Sequence, residues 1–552
     1  MPLPTRTRRL KWLLPLWLAA ALLITAGWYA SAQDTTRAAP AAAQPAAQPA
    51  TTAAQPATQP AAQPRVGNGT SEIQREAQTP ESGIARDSAT PANRGNEPAA
   101  APTAQDRARQ ARTDAAGGSP VQRAISFLGL VVFTLAAFLL SVNRRRVDWV
   151  TVAWGIALQF IFALIILKTR VGYEFFNGAN DLFNALIGYT VEGAKFLFGN
   201  LVWNNVPVGA AANSMAPVSA GGTWANTGGF FAFNVLPTII FFSSLMTLLY
   251  HLGIMEWIVK GFGWVMMKTM RISGAESLST AGNIFLGQTE APLLVKPFIG
   301  TMTKSELHCI MVGGFGTVAG GVLAAYVGIL VSYFPDIAGH LISASVMSAP
   351  ACIAISKLMY PETEEPVTRG KLGIELEKLD ANPIDAAARG ASEGLTLALN
   401  VGAMLLAFIA LLALINGLLA WTFGLFGVQG FSIQLVLGWL GAPMAWLMGV
   451  PWQDAPAIGT LIGEKTALNE FVAYLHLGSM LQEGVKLDPR SVVIATYALC
   501  GFANFSSIAI QIGGIGGMAP ERRGDLSRLG LRAMVAGTLA NFMTACVVGI
   551  LL

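Results

Sequence analysis

The decamer Asn283-Ile284-Phe285-Leu286-Gly287-Gln288-Thr289-Glu290-Ala291-Pro292 places an amide, a hydroxyl and a carboxylate in an otherwise apolar stretch. Gly287 and Pro292 prevent a regular helix from running straight through it. The flanking sequence is too apolar for a loop in water. Inside a membrane, such a cluster is tolerated only where protein or a watery cavity surrounds it. Two later stretches repeat the pattern: Leu468-Asn469-Glu470-Phe471-Val472-Ala473-Tyr474 and Cys500-Gly501-Phe502-Ala503-Asn504-Phe505-Ser506-Ser507-Ile508. Polar clusters recurring in apolar sequence point to a solute site at membrane depth.

Composition supports a membrane chain. Of the 552 residues, 53% are hydrophobic and 12% charged, against about 25% charged in soluble domains. A formal net charge of +4 gives nucleic acid little to bind, and none is expected as a partner. Cys309, Cys352, Cys500 and Cys546 all lie in apolar segments without metal-ligand spacing, which reads as buried free thiols. His251, His308, His340 and His476 are scattered and show no ligand spacing.

Residues 1–32 read as a signal peptide: Arg6, Arg8, Arg9 and Lys11 precede the apolar run Trp12–Gly27, and Ala30-Ser31-Ala32 offers small residues for cleavage. An uncleaved anchor is the alternative. Residues 33–120 form a low-complexity tail rich in Ala, Pro and Gln. It has too few large apolar residues to offset ordering entropy, so a disordered extracytoplasmic tether is expected. Apolar segments follow at Ala124–Val142, Trp149–Leu167, Phe230–Leu252, Ile310–Val331, Leu341–Met359, Leu395–Trp421, Ala467–Leu481, Ser491–Ile512 and Leu529–Leu552. Val171–Phe198 is mixed and aromatic and reads as interfacial or a short amphipathic helix. Tyr360–Ala388 is a charged, solvated loop, and Gly274–Ile299 and Ile433–Ile462 are broken segments. Asn143-Arg144-Arg145-Arg146 and the group Arg522, Arg523, Arg528 and Arg532 mark cytoplasmic turns, which puts the tail and the C-terminus outside.

Each broken segment ends in a polar tip and precedes a Gly-rich helix, a pattern of paired interruptions that points to a transport site between two halves. Glu290 and Glu470 are costly in apolar sequence unless they are paired or hydrated, so a functional role is the default. With Gln288, Thr289, Asn504 and Ser507 they offer many donors and acceptors but little fixed charge, which suits a neutral, hydroxyl- and amide-rich solute. Phe502 and Phe505 are candidates to stack on a flat ring or to pack between helices. Asn283, the Leu286 carbonyl, Thr317 and the Val318 carbonyl form a second set, suited to a dehydrated small cation. Lys296 and Lys465 are expected at segment ends, with their ammonium groups snorkelling to water. An intramembrane enzyme using Glu290 and Glu470 as an acid–base pair is the alternative from another class, though no nucleophile–base set accompanies them.

The segments GQTEAPLLVKPFI, GEKTALNEFVAYL and CGFANFSSIAIQIGGIGGMAPERR resemble the concentrative nucleoside transporter family over about Ala124–Leu552. The resemblance implies an all-α polytopic membrane protein with about eight transmembrane helices. It also implies two opposed re-entrant helical hairpins in an inverted repeat, here behind a disordered N-terminal tail. The halves then fall at 121–229 (scaffold helices), 230–335 (first transport half with hairpin 1) and 336–552 (second half with hairpin 2). It further implies a homotrimer in the lipid bilayer of a bacterial inner membrane, importing nucleosides of the uridine, cytidine and adenosine class by an elevator-type movement. Gln288, Thr289 and Glu290 would bind the nucleobase, with Val322 as an apolar wall. Glu470, Asn504 and Ser507 would bind ribose, beside Phe502. Asn283, Leu286, Thr317 and Val318 match the sodium site, so sodium is the expected coupling ion and the proton its alternative.

Overall fold

Pro120 opens the first helix because a missing N–H is harmless there, and Ser119 and Gln122 cap each other in a reciprocal box. The computed structural model describes residues 117–202, 205–208, 223–226, 230–370 and 380–552. All lie within one unit, Asn96–Leu552. The expected signal peptide and nearly all of the 33–120 tail lie outside the described residues.

Longer helices are numbered here and single turns are not. They are α1 (Pro120–Leu139), α2 (Trp149–Lys168), α3 (Arg170–Phe198), α4 (Leu236–His251), α5 (Ile254–Met270), α6 (Gly274–Gly282), α7 (Lys304–Gly316) and α8 (Gly320–Leu330). The second half contains α9 (Ile337–Met359), α10 (Pro383–Gly424), α11 (Ile433–Leu447), α12 (Ala455–Ala467), α13 (Glu470–Gln482), α14 (Pro489–Leu499), α15 (Phe505–Met518) and α16 (Arg523–Leu551). One antiparallel ribbon, Asn205–Val208 with Thr223–Asn226, is the small exception to an all-helical architecture.

Among the described residues, seven helical stretches are long and apolar enough to cross a membrane. Of the nine expected segments, two are not long spanning helices: Ala467–Leu481 is the end of α12 and the 13-residue α13, and Ser491–Ile512 is folded as two short halves, α14 and α15, with an extended link between them. Burial sorts the spans into layers. The most apolar 18-residue stretch is 100% buried in Lys304–Leu330 and 94% in Ile337–Met359, but only 17% in Pro383–Gly424 and 22% in Phe231–His251. The broken helix and its neighbour thus form the core, and the outer helices present apolar faces suited to lipid or to other subunits.

The start of α1 meets the end of α16. Gly118 N and Arg123 Nη2 both donate to the carbonyl of Leu552, at 3.0 and 2.7 Å. α10 packs on α4 at close range through Gly390 and Gly394, where any side chain would overlap Ser243, Ser244 and Ile240.

Three expectations need correction. The expected short helix at Val171–Phe198 is part of one continuous 29-residue helix, Arg170–Phe198, because its Gly residues are isolated and no Pro interrupts it. The charged loop ends earlier than Ala388, since Asn382 caps α10 by accepting from Ile384 N and Asp385 N. Lys465 does not snorkel to a segment end: it is 1% exposed. It lies on the face of α12 turned to α16, where Asn541 meets it.

Candidate functional site

The order helix, polar tip, helical arm, interrupted helix occurs twice. In the first half, Ser273 and Glu276 form a capping box that starts α6. Beyond it Leu286 N still reaches Gly282 O at 2.8 Å before Gly287 and Pro292 turn the chain. The return arm leads to α7, which stops at Gly316. Thr317 is extended (φ −128°, ψ 172°), and α8 begins at Gly320. In the second half α12 ends at Ala467, Asn469 caps α13, and α14 ends at Leu499 before Asn504 caps α15.

The two tips and the two interruptions meet at one cavity, ≈ 710 Å³ with its open mouth included. Gln288, Thr289, Glu290, Val322, Glu470, Phe502, Asn504 and Ser507 all line it. Phe505 is 54% exposed and lies outside the lining.

Both carboxylate oxygens of Glu470 are bonded. Tyr326 OH donates to its Oε1 at 2.9 Å and Asn504 Nδ2 to its Oε2 at 2.8 Å. Asn504 Oδ1 accepts from Ser507 N and Ser506 Oγ, so the amide cannot flip without losing its cap. α13 and α15 both begin at the cavity, and their N-terminal dipole ends favour the carboxylate. Glu290 is held differently. Its Oε2 accepts only from Gly287 N, at 2.7 Å within its own tip, and the residue opens to the cavity.

Gln288 bridges the halves. Its Nε2 donates to Ser507 Oγ and its Oε1 accepts from Gln511 Nε2, both at 3.1 Å. Gly314 makes this approach feasible, because a Cβ there would sit 2.8 Å from both Gln288 Cβ and Gln511 Nε2.

The second set lies behind the first tip and does not line the cavity. Asn283 Nδ2 donates to Ser279 O at 3.1 Å, while its fully buried Oδ1 has no partner. Thr317 Oγ1 donates to Gly313 O at 2.8 Å, leaving its lone pairs free, and Val318 lies in the extended link. Gly320 N bonds Phe285 O at 2.9 Å, which ties Leu286 and the tip to the start of α8. Ser279 Oγ and Thr280 Oγ1 are also buried without partners. Such oxygen-rich, carboxylate-free surroundings fit a small hard cation. Among the described residues, no group of three or more His, Cys, Asp or Glu offers a site for a heavier metal.

Sequence reasoning missed several lining or supporting residues. Leu397, Val401, Met404 and Leu405 of α10 form one wall, and Asn469, Phe471, Ser506 and Ile510 complete the rim. Gln511 was detectable as a lone amide four residues beyond Ser507 on the same helix face. Tyr326 carried no such signal, since its hydroxyl partner is far away in sequence. All four cysteines are buried and free, as their apolar contexts implied.

These features define a polytopic membrane protein with a polar cavity between two hairpins and two interrupted helices. The family models described as Na+ dependent nucleoside transporter N-terminus, Nucleoside recognition and Na+ dependent nucleoside transporter C-terminus match residues 128–201, 232–333 and 340–549. Solute carrier family 28 member 3 of Mus musculus is 44% identical over 443 residues, 78% of this chain and 59% of that protein. Sodium/nucleoside cotransporter 1 of Mus musculus is 41% identical over 78% of this chain and 64% of its own length. The chain therefore spans about three-fifths of these curated relatives. CNTnw, solved in an inward-facing substrate-bound state, is 41% identical with a TM-score of 0.69, covering 77% of this chain and 97% of that one. A CNTnw variant solved in an outward-facing state matches at the same TM-score of 0.69. The chain belongs to the concentrative, sodium-dependent nucleoside transporter family.

Proposed function

We propose that the protein is a sodium-coupled symporter that imports nucleosides across a bacterial inner membrane by alternating access. The observation that carries this reading is the convergence of Gln288, Thr289, Glu290, Glu470, Asn504 and Ser507 on one cavity. Six donor- and acceptor-rich side chains without Arg or Lys suit a neutral ribosylated base and offer nothing bidentate for a phosphate. Gln288, Thr289 and Glu290 recognise the base, with Val322 as its apolar wall. Glu470, Asn504 and Ser507 hold the ribose beside Phe502. Sodium is a co-transported substrate held by Asn283, Thr317 and the Leu286 and Val318 carbonyls. The unpaired Asn283 Oδ1 supports that role. It couples to the nucleoside because the tip carrying Gln288 and Glu290 is fixed to the α7–α8 break through Phe285 and Gly320.

We place the scaffold around α4 and α10, which pack closely on each other, instead of at the 121–229 helices expected from sequence, and the two hairpins and interrupted helices move together against it as an elevator carriage. Three copies assemble through the exposed apolar helix faces. The tail and C-terminus lie outside, opposite the Arg144–Arg146 and Arg522–Arg523 turns.

Uptake of radiolabelled uridine and adenosine into proteoliposomes tests the reading, with an inward sodium gradient, a proton gradient or neither, and with the internal solute then identified. Sodium-driven accumulation of unaltered nucleoside is expected. Accumulation with protons alone would overturn the ion assignment, and no uptake under any gradient would overturn the solute.

A further inference from the structure

Lys465 lies outside the cavity lining yet is 1% exposed. Its Nζ donates to the carbonyl of Ala498 and to Asn541 Oδ1, each at 2.9 Å. Both partners are neutral oxygens. The Glu470 carboxylate, five residues along, is engaged by Tyr326 and Asn504 instead. Ala498 sits in the last turn of α14, where unpaired carbonyls carry the negative end of the helix dipole.

Asn541 extends this contact to both halves. Its Nδ2 donates to Gly316 O and Cys500 O, 2.7 Å each. These carbonyls end α7 and α14, the two helices that break at the site. Gly501 lets the ends approach, because a Cβ there would sit 2.8 Å from both Asn541 Nδ2 and the Phe315 carbonyl.

The first break presents a different inventory. Buried oxygens are present at Asn283, Ser279 and Thr280 without partners, and among the described residues no lysine or arginine bonds to them. Each break is a cluster of neutral oxygens at a helix C-terminal end, and only the second carries its own positive charge. We infer that Lys465 is a tethered cation that fills the second break as a dissolved cation fills the first, so that each nucleoside requires one coupling ion. This rests on the sodium reading of the first break proposed above. Lys465 is thus a positioning residue: it touches no solute, but it fixes the end of α14 and so the start of the link to Asn504, which caps α15 and reaches Glu470.

A purely structural lysine would matter through shape and hydrogen bonds; a tethered cation matters through charge and, once removed, leaves a vacancy a dissolved ion can occupy. The test is a sodium titration of uridine binding to the purified full chain, together with melting temperature against sodium without nucleoside, for the parent, Lys465→Ala and Lys465→Arg. The parent should show a Hill coefficient of about one, the alanine variant should rise toward about two, and the arginine variant should remain near one. Uridine affinity of the alanine variant should fall at low sodium and recover at saturating sodium. An alanine variant with the parent's coefficient, or one weakened equally at every sodium concentration, would overturn the inference. If the alanine variant does not run as a single species, the arginine variant decides, and a raised coefficient or equal failure there overturns the inference as well. A parent coefficient of about two sinks the tethered cation while leaving nucleoside binding intact. A parent that binds no nucleoside sinks the transport reading instead, and the melting curves still report on Lys465.

Discussion

The two halves meet the same cavity with different degrees of commitment. On the second, Glu470 is 4% exposed, and both its oxygens are already bonded by Tyr326 and Asn504. On the first, Glu290 leans on a single backbone N–H of its own tip, and Gln288 is shared between Ser507 and Gln511. A fully bonded carboxylate is preorganised and loses little freedom on binding. A lightly bonded one can adjust. On the assignment proposed above, the difference would suit a ligand whose sugar is constant and whose base varies: the rigid half would read the constant part, and the adaptable half would tolerate the variable one.

Breaking the rigid half should have the largest effect. Glu470→Gln removes the charge from two hydrogen bonds. Such bonds contribute about 1.5–3 kcal/mol each, and 1.4 kcal/mol is tenfold in affinity, so binding should weaken on the order of 10²-fold. The loss should be equal for uridine and adenosine in equilibrium binding, and an unequal loss would break the comparison. Next, Asn283→Ala deletes the unpaired oxygen behind the first tip. Half-saturating sodium should rise about tenfold while uridine affinity at saturating sodium stays within about threefold, read from the same titration. An unchanged sodium requirement removes Asn283 from the ion site.

Glu290→Gln should cost about tenfold or less, because water still reaches the side chain. The effect should differ between uridine and adenosine, and equal losses would assign Glu290 to the sugar. The smallest effect belongs to Val401→Ala on α10, where loss of apolar wall area should weaken either nucleoside about threefold or less. A large or base-selective loss would mean that α10 takes part in recognition.

Much of this site was visible in sequence because a carboxylate or amide in an apolar run has few innocent explanations. Glu290, Glu470, Gln288 and Asn504 stood out for that reason, and all four line the cavity. The α10 wall did not stand out. Along a 42-residue apolar helix every face looks alike, and only the packing of Gly390 and Gly394 against α4 determines which one turns inward. Lys465 was misread for a related reason. A lysine near the end of an apolar segment ordinarily finds water, and the oxygens that hold it come from Ala498 and Asn541, distant in sequence. The interrupted helix Ser491–Ile512 looked continuous because Gly501 is a weak breaker by itself. Asn504 as a cap fixes the restart.

The α10 wall has a mechanical consequence. Every polar side chain lining the cavity comes from the hairpins or interrupted helices, while α10 contributes only Leu397, Val401, Met404 and Leu405. In the elevator movement proposed above, a solute held by the former would be lubricated against the latter. It can slip past α10 as oil slides on oil, without breaking a hydrogen bond to that helix, so the friction of the stroke falls on non-directional contacts that re-form at each new position.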